Sequence, residues 1–238
     1  MFVALCSVTL YAQDISFGAK AGVNLSKFNN FYYYNKNTEL ILSELTGGKT
    51  SNSFKNSMEI GAVGGLYANI GLNEDLSLQI ELLFSKIRNN NVSTIEGTYE
   101  DFDPETDEFI LVPFNTTNKT NITLNYLALP VMLEYYVFRG LYLEAGPQFN
   151  FKINSMVSFE NEASENLLIQ TPTNLKKELS NYKEFDLGFN LGLGYRTSFG
   201  LNFNARYNFS GVTFLTNNSD IENRNLQFTL GYDIINPN

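Results

Sequence analysis

Charged side chains occupy alternate positions within segments whose other positions are mainly apolar. Lys20 stands between two alanines, and Glu81 stands between an isoleucine and a leucine. Successive side chains of an extended chain point to opposite faces, so these charges would share one face of a sheet. The residues that follow this pattern are Lys20, Glu59, Glu81, Glu144, Lys152, Arg196, Arg206 and Asp233.

Charges on one enclosed face allow two kinds of chemistry. They could line a polar conduit for small solutes, or they could pair with one another inside a filled interior. Pairing is favoured, because an unpaired charge in a low-dielectric interior is costly. The cations available for pairing are Lys20, Arg196 and Arg206, and the carboxylates are Glu59, Glu81, Glu144 and Asp233.

A second chemical feature is the acidic segment 96–108, EGTYEDFDPETDE. Carboxylates at every second position resemble a calcium-binding loop, and they are Asp101, Asp103, Glu105 and Asp107. An EF-hand loop that started at Asp101 would need glycine at its sixth position and glutamate at its twelfth, where this chain has Thr106 and Val112. The segment is therefore predicted to be an acidic surface loop, with weak calcium binding as the alternative.

The composition argues against several function classes. Histidine is absent, which removes Ser-His-Asp and Cys-His catalysis and imidazole metal sites. The formal charge of -9 and the pI of about 4.6 disfavour binding to nucleic acid, whose phosphates attract basic surfaces. No nucleophile has a base at strand spacing. The sequence therefore predicts a protein that is not an enzyme and has no cofactor.

Long alternating strands must position these charges. In residues 185–195, Phe, Leu and Tyr alternate with polar residues and glycine for about eleven residues, the length that a tilted strand needs to cross a bilayer. A sheet edge cannot stay open in hydrocarbon, so such strands imply a closed barrel. No run of about eighteen apolar residues occurs, and the sequence therefore predicts no transmembrane helix.

The connections between the strands are expected to alternate in length. Tight turns are predicted at residues 73–75, 139–140 and 197–200, and long loops at residues 28–56, 89–119, 154–183 and 211–224. Short periplasmic turns and long extracellular loops are typical of outer-membrane barrels. The predicted fold is all-β: a closed antiparallel up-and-down barrel of about eight transmembrane strands, with both termini in the periplasm.

Two further segments are interpreted in this frame. Residues 1–13 are predicted to be the remnant of a secretory signal peptide, which leaves residues 14–238 as the barrel domain. A run of aromatic residues lies in the first predicted loop and includes Tyr32, Tyr33 and Tyr34. These rings fit the outer aromatic girdle of a membrane barrel, or a patch that contacts sugar or protein.

Two motifs carry a family resemblance. Residues 17–26, FGAKAGVNLS, and residues 126–135, YLALPVMLEY, resemble the first and fourth strands of the PorT-like outer-membrane β-barrel family. The fourth-strand motif departs from that family at Ala128 and Met132, where charged residues are usual. The resemblance implies the outer membrane of a Gram-negative bacterium, and for a few members a link to type IX protein secretion.

Three functions are compatible with these features. The first is a structural or interaction component of the cell envelope, which contacts lipopolysaccharide or envelope proteins through its extracellular loops, as a subunit of a secretion or envelope complex. The second is a narrow channel for small solutes. The third is a soluble lipocalin-like barrel that binds a ligand, but the charged inner face disfavours it, because a lipocalin interior is apolar.

Overall fold

The computed structural model describes residues 15–28, 51–163, 175–178, 184–210 and 223–235. This part of the chain contains nine strands and no helix that is long and apolar enough to span a membrane. The strands are β1 (Ile15–Phe28), β2 (Ser51–Gly71), β3 (Leu76–Asp103), β4 (Glu108–Phe138), β5 (Leu141–Ala163), β6 (Leu175–Glu178), β7 (Phe185–Arg196), β8 (Leu201–Ser210) and β9 (Asn223–Ile235).

All the strands except β6 close into an antiparallel ring of eight strands. Neighbours follow the order β4-β3-β2-β1-β9-β8-β7-β5, and the pairing of β4 with β5 closes the ring. The short strand β6 lies outside this ring and pairs with residues 156–159 of β5. The structure therefore confirms the predicted closed barrel of eight strands, and it adds β6 inside a segment that was predicted to be a loop.

The two faces of the barrel have the predicted chemistry. On β1, the outward positions are Ile15, Phe17, Ala19, Ala21 and Val23, whereas Ser16, Lys20, Asn24 and Ser26 are buried inside. Outward apolar residues recur on all eight strands of the ring, and we call them the apolar band. Large members of this band include Leu66, Leu82, Leu133, Leu143, Leu191, Phe203 and Leu230. An apolar outside around a polar inside is the reverse of a soluble ligand-binding barrel.

Tight turns join the strands at one end of the barrel. The turns between β4 and β5 and between β7 and β8 contain Gly140 and Gly200, whose φ angles of 84° and 91° favour glycine. The ladder continues directly into each turn, because Arg196 N donates to Gly140 O and Asp233 N donates to Gly200 O. The three short connections thus occur where they were predicted.

The prediction of a second long loop at residues 89–119 is wrong. Strand β3 runs to Asp103 and β4 starts at Glu108, and their ladder is continuous from Lys86–Asn125 to Asp103–Glu108. The segment is rich in Asn and Thr, and its β-branched residues suit a pleated sheet. The ladder between β3 and β4 pairs backbone groups along this segment. A polar sequence here is therefore compatible with a strand and did not require a loop.

Two other predicted loops are shorter than expected. Strand β5 continues to Ala163, so residues 154–163 of the third predicted loop are strand. Strand β2 starts at Ser51, which removes residues 51–56 from the first predicted loop. The predicted signal segment 1–13, the tyrosines Tyr32, Tyr33 and Tyr34, and most of the loop at 211–224 lie outside the described residues.

Candidate functional site: a charged cluster inside the barrel

Arg206 lies at the centre of the barrel interior and bonds two carboxylates from other strands. Its guanidinium donates to both oxygens of Glu81, with Nη1–Oε2 at 2.7 Å and Nη2–Oε1 at 2.6 Å. It also donates to Glu144, with Nε–Oε1 at 2.5 Å and Nη2–Oε2 at 2.8 Å. Lys20 Nζ completes the cluster at 2.7 Å from Glu81 Oε1. We call these four residues the central cluster.

The strands place these groups because each side chain points inward at a matching height. Lys20 is on β1, Glu81 on β3, Glu144 on β5 and Arg206 on β8. Gly192 on β7 pairs with both Glu144 and Arg206, and a Cβ there would lie 2.5 Å from Glu144 Oε1. Glycine is therefore needed at 192 so that the two charged side chains can meet.

The central cluster is buried and has no net formal charge. Its side chains are buried, with two positive charges on Lys20 and Arg206 and two negative charges on Glu81 and Glu144. Bidentate guanidinium–carboxylate bonds are among the stronger hydrogen bonds in proteins. An eight-stranded barrel is just wide enough for side chains to fill it. The paired charged side chains therefore fill the middle of the interior.

A second charged group lies nearer the short turns. Arg196 Nη2 is 3.5 Å from Glu134 Oε2 and donates to Gln79 Oε1 at 2.8 Å. The same Glu134 oxygen accepts from Asn69 Nδ2 at 2.8 Å and from Ser77 Oγ at 3.0 Å. Bonded polar side chains thus extend from the middle of the barrel toward its short-turn end.

The structure corrects parts of the predicted pairing. Arg196 pairs with Glu134, which was not among the predicted partners, and Asp233 accepts from the Tyr67 hydroxyl at 2.6 Å rather than from a cation. Glu59 is partly exposed and forms no ion pair with another described residue. It is opposite Ser26 in the ladder between β1 and β2, farther from the short turns than Lys20 is. Lys152 is likewise only partly buried and is outside the central cluster.

Glu134 was missed although the sequence carries a signal for it. The residue alternates with the outward Leu133 and Tyr135, so it falls on the inner face of β4. Tyr126 and Pro130 interrupt the alternation of polar and apolar residues along this strand. They made it harder to recognise which residues share the inner face. In the structure, Tyr126 lies next to a register shift between β4 and β5, which explains the broken pattern.

The four carboxylates considered for calcium lie at the far end of the β3–β4 hairpin. Asp101 and Asp103 are on β3, and Glu105 and Asp107 are in the turn. Asp103 Oδ1 accepts from the Glu105 backbone at 2.9 Å, so this side chain stabilises the turn. Among the described residues, no group of three or more His, Cys, Asp or Glu side chains is arranged to hold a metal ion.

The same hairpin extends farther than the described parts of its neighbouring strands. The flanking strands end where Ser51 pairs with Glu96 and where Ala163 pairs with Thr116. Within the described parts of the chain, residues 97–103 and 108–114 therefore pair only with each other, and we call residues 97–114 the tip ribbon. The apolar band ends at Phe84 on β3, and the strand continues from there to Asp103. At about 3.3 Å per residue, this part of β3 is about 60 Å long.

The tip ribbon combines exposed apolar side chains with negative charge. Phe109 is 73% exposed and Leu111 is 64% exposed, and Phe102 packs edge-on against Phe109 with ring centroids 5.5 Å apart. The ribbon carries six acidic residues and no basic ones, the acids being Glu100, Asp101, Asp103, Glu105, Asp107 and Glu108. No other described strand pairs with either edge of the ribbon, and such edges present backbone groups to a partner.

Solved structures with a similar chain path are outer-membrane barrels. Neisserial surface protein A is 9% identical, with a TM-score of 0.41 and coverage of 92% of this chain and 99% of that chain. The attachment invasion locus protein Ail of Yersinia pestis, solved with a heparin analogue, is 11% identical, with a TM-score of 0.41 and coverage of 92% and 97%. These values carry no inference about function. No curated protein sequence matches this chain.

A family comparison gives the identity. The family described as "Outer membrane protein beta-barrel domain" matches residues 11–217, which is most of the chain. The matched region includes β1 to β8, the apolar band on these strands and the whole central cluster. This protein therefore belongs to the outer membrane protein β-barrel domain family of Gram-negative bacteria.

Proposed function

We propose that this barrel is a structural and interaction component of the outer membrane that makes its contacts through its extracellular part. One observation carries the proposal: the central cluster fills the middle of the interior, while the tip ribbon pairs with no other described strand and exposes aromatic side chains. A barrel with a filled interior offers its outer surfaces for function. Exposed apolar patches with a polar surround are typical of protein interaction sites.

The proposed orientation puts the short turns and both termini in the periplasm. Phe17 pairs with Ile235, so the described ends of the chain lie together at the short-turn end. Outer-membrane barrels have short periplasmic turns and longer extracellular connections. The tip ribbon then points away from the cell, where envelope proteins and lipopolysaccharide are accessible to it.

The finer family assignment is also a proposal. The motifs at residues 17–26 and 126–135 support membership of the PorT-like group, although Ala128 and Met132 lack the usual charges and are buried in the interior. A role as a subunit of a secretion complex, including type IX secretion, would follow only from that group. The proposal includes no catalytic step and no nucleic acid partner, because histidine is absent and the net charge is -9.

A conductance measurement separates this proposal from the narrow channel. The full chain, refolded into planar phospholipid bilayers, is expected to show no steady single-channel openings, because the central cluster fills the interior. A variant that removes two side chains of the cluster, Glu144→Ala with Arg206→Ala, serves as the positive control for detection. Clear and steady openings of the unmodified protein would count against the interaction-only function and in favour of the channel.

Site-specific photo-crosslinking tests the tip ribbon as the contact surface. A photoreactive phenylalanine analogue at Phe109 is expected to give protein adducts in intact cells, because this ring is the most exposed of the ribbon. The matched control places the analogue at Phe203, which is 49% exposed but belongs to the apolar band. Equal protein adducts from both positions, or none from Phe109, would show that the ribbon is not the contact surface.

A further inference from the structure

We propose that the outward side of β9, β1 and β3 binds the phosphate groups of lipopolysaccharide. Four cations lie just beyond the apolar band on these strands, and we call them the basic rim: Lys27, Lys86, Arg88 and Arg224. The proposal identifies a lipid-binding site in addition to the tip ribbon. It rests on the proposed orientation, in which this end of the barrel meets the outer leaflet.

Each rim residue takes the first or the second outward position beyond the last residue of the apolar band on its strand. On β1, Lys27 follows Leu25, and on β9, Arg224 precedes Leu226. On β3, Lys86 and Arg88 follow Phe84. Their neighbours Ser26, Asn225, Ser85 and Ile87 are buried, so the rim side chains point outward. The cations therefore lie where hydrocarbon gives way to headgroups.

Contacts between strands bring the rim residues to one height. Lys27 and Arg224 are directly opposite in the ladder between β1 and β9. Ser26 Oγ donates to Arg88 O at 2.5 Å and accepts from Arg88 N at 3.1 Å, and Asn24 Nδ2 donates to Lys86 O at 3.2 Å. These bonds join β1 directly to β3, at the level where the register between β2 and β3 shifts. The two basic pairs consequently face the same layer of the membrane.

Counted over the described residues, the charge around the rim is positive although the protein is acidic. The chain has 25 acidic and 16 basic residues. Yet the described parts of β1 and β9 carry no acidic residue on their outward faces, and the single acid of β2, Glu59, points inward between Met58 and Ile60. Lys27, Lys86 and Arg88 form no ion pair with any described carboxylate. On the opposite side of the barrel, exposed Glu184 directly precedes β7.

Phosphorylated sugars of lipopolysaccharide fit this arrangement better than zwitterionic headgroups. Lys and Arg donate charge-assisted hydrogen bonds to phosphate oxygens, and Arg88 adds the planar fork of a guanidinium. Each cation near an anionic membrane surface strengthens binding about fivefold. The acyl chains of the same lipid would lie along the apolar band directly below, so headgroup and chains would be bound by adjacent surfaces.

Native mass spectrometry of the detergent-solubilised full chain with lipid A tests the site. The variant Lys27→Gln with Lys86→Gln and Arg88→Gln is expected to bind lipid A at least about tenfold more weakly than the unmodified protein. The control variant Arg139→Gln with Lys176→Gln and Lys177→Gln removes the same charge elsewhere and should bind as the unmodified protein does. Equal loss in both variants would overturn the proposal.

Two further arms make the assignment specific. Dephosphorylated lipid A should bind the unmodified protein as weakly as phosphorylated lipid A binds the rim variant, and equal binding of the two lipids would rule out phosphate recognition. Inorganic phosphate at the same concentration should not compete, and full competition would assign the site to free phosphate. Gel mobility of unboiled samples establishes that each variant is folded.

Orientation is measured separately, so that its failure is distinguishable from failure of the site. Thr106→Cys in the turn of the tip ribbon should react with a membrane-impermeant maleimide in intact cells. Labelling together with phosphate-dependent lipid A binding supports the proposal in full. Binding without labelling would mean that the barrel has the opposite orientation, and it would exclude an outer-leaflet site. Labelling without binding would reject the basic rim as a lipid site and leave the proposed function intact.

Discussion

Replacing Arg206 with methionine is expected to lower the free energy of unfolding of the barrel by about 3–5 kcal/mol, the cost of removing one partner from a buried ion pair. Arg206 bonds Glu81 and Glu144 at once, and both carboxylates are buried. Without the guanidinium, Lys20 alone remains to neutralise two negative charges. Urea titration in phospholipid vesicles, read from the gel mobility of unboiled samples, measures the change.

Arg88→Met is the matched control, because it removes a guanidinium from the outside of the same barrel. In vesicles without lipopolysaccharide, the unfolding free energy of this variant should stay within about 0.5 kcal/mol of the unmodified protein. A second variant, Arg206→Met with Glu144→Gln, also removes the carboxylate that has lost its cation but keeps the buried Lys20–Glu81 pair, so it should recover part of the loss. If Arg206→Met is as stable as the control, the central cluster does not stabilise the barrel.

Leu133→Arg is expected to destabilise the barrel by about 2–4 kcal/mol, the cost of an arginine on the lipid face near the middle of the bilayer. Leu133 is 45% exposed and points outward from β4, between Leu78 of β3 and Ala145 of β5. The guanidinium introduced by the substitution would lie in hydrocarbon, too far from either headgroup layer to keep its hydration. The same urea titration in vesicles measures the loss.

Leu111→Arg makes the identical change outside the bilayer. Leu111 is 64% exposed in the tip ribbon, so the variant should have the same urea midpoint of unfolding as the unmodified protein. Equal destabilisation by the two substitutions would mean that Leu133 does not face lipid. No loss from Leu133→Arg would likewise contradict the apolar band as a membrane-spanning surface.

Both stability experiments depend on whether a side chain points into the barrel or out of it, and the sequence could predict this direction. The alternation in residues 185–195 assigns Phe189 and Leu191 to one face and Asn190 to the other, and the structure has these residues outside and inside respectively. Side-chain direction in a strand follows from backbone geometry alone. The faces, the short turns and the closed ring were therefore predictable without any knowledge of contacts.

Strand length was less predictable, because Asn- and Thr-rich segments suit either a water-exposed sheet or a loop. Thr94 and Thr117 face each other across the β3–β4 ladder, and their hydroxyls lie 3.2 Å apart. Such pairing depends on the partner strand, which a propensity for one segment does not include. For this reason the hairpin that carries the tip ribbon was predicted as a loop.

The sequence by itself determined which side chains point inward and that the inward charges are enclosed by an apolar exterior, since both follow from a period of two residues. Only the tertiary structure decided which charges meet. Arg206 bonds Glu144 and Glu81, which are 62 and 125 residues away along the chain, and Arg196 bonds Glu134 rather than a predicted partner. Those pairs depend on strand register and barrel closure, which set the height of each residue and are not encoded in any single strand.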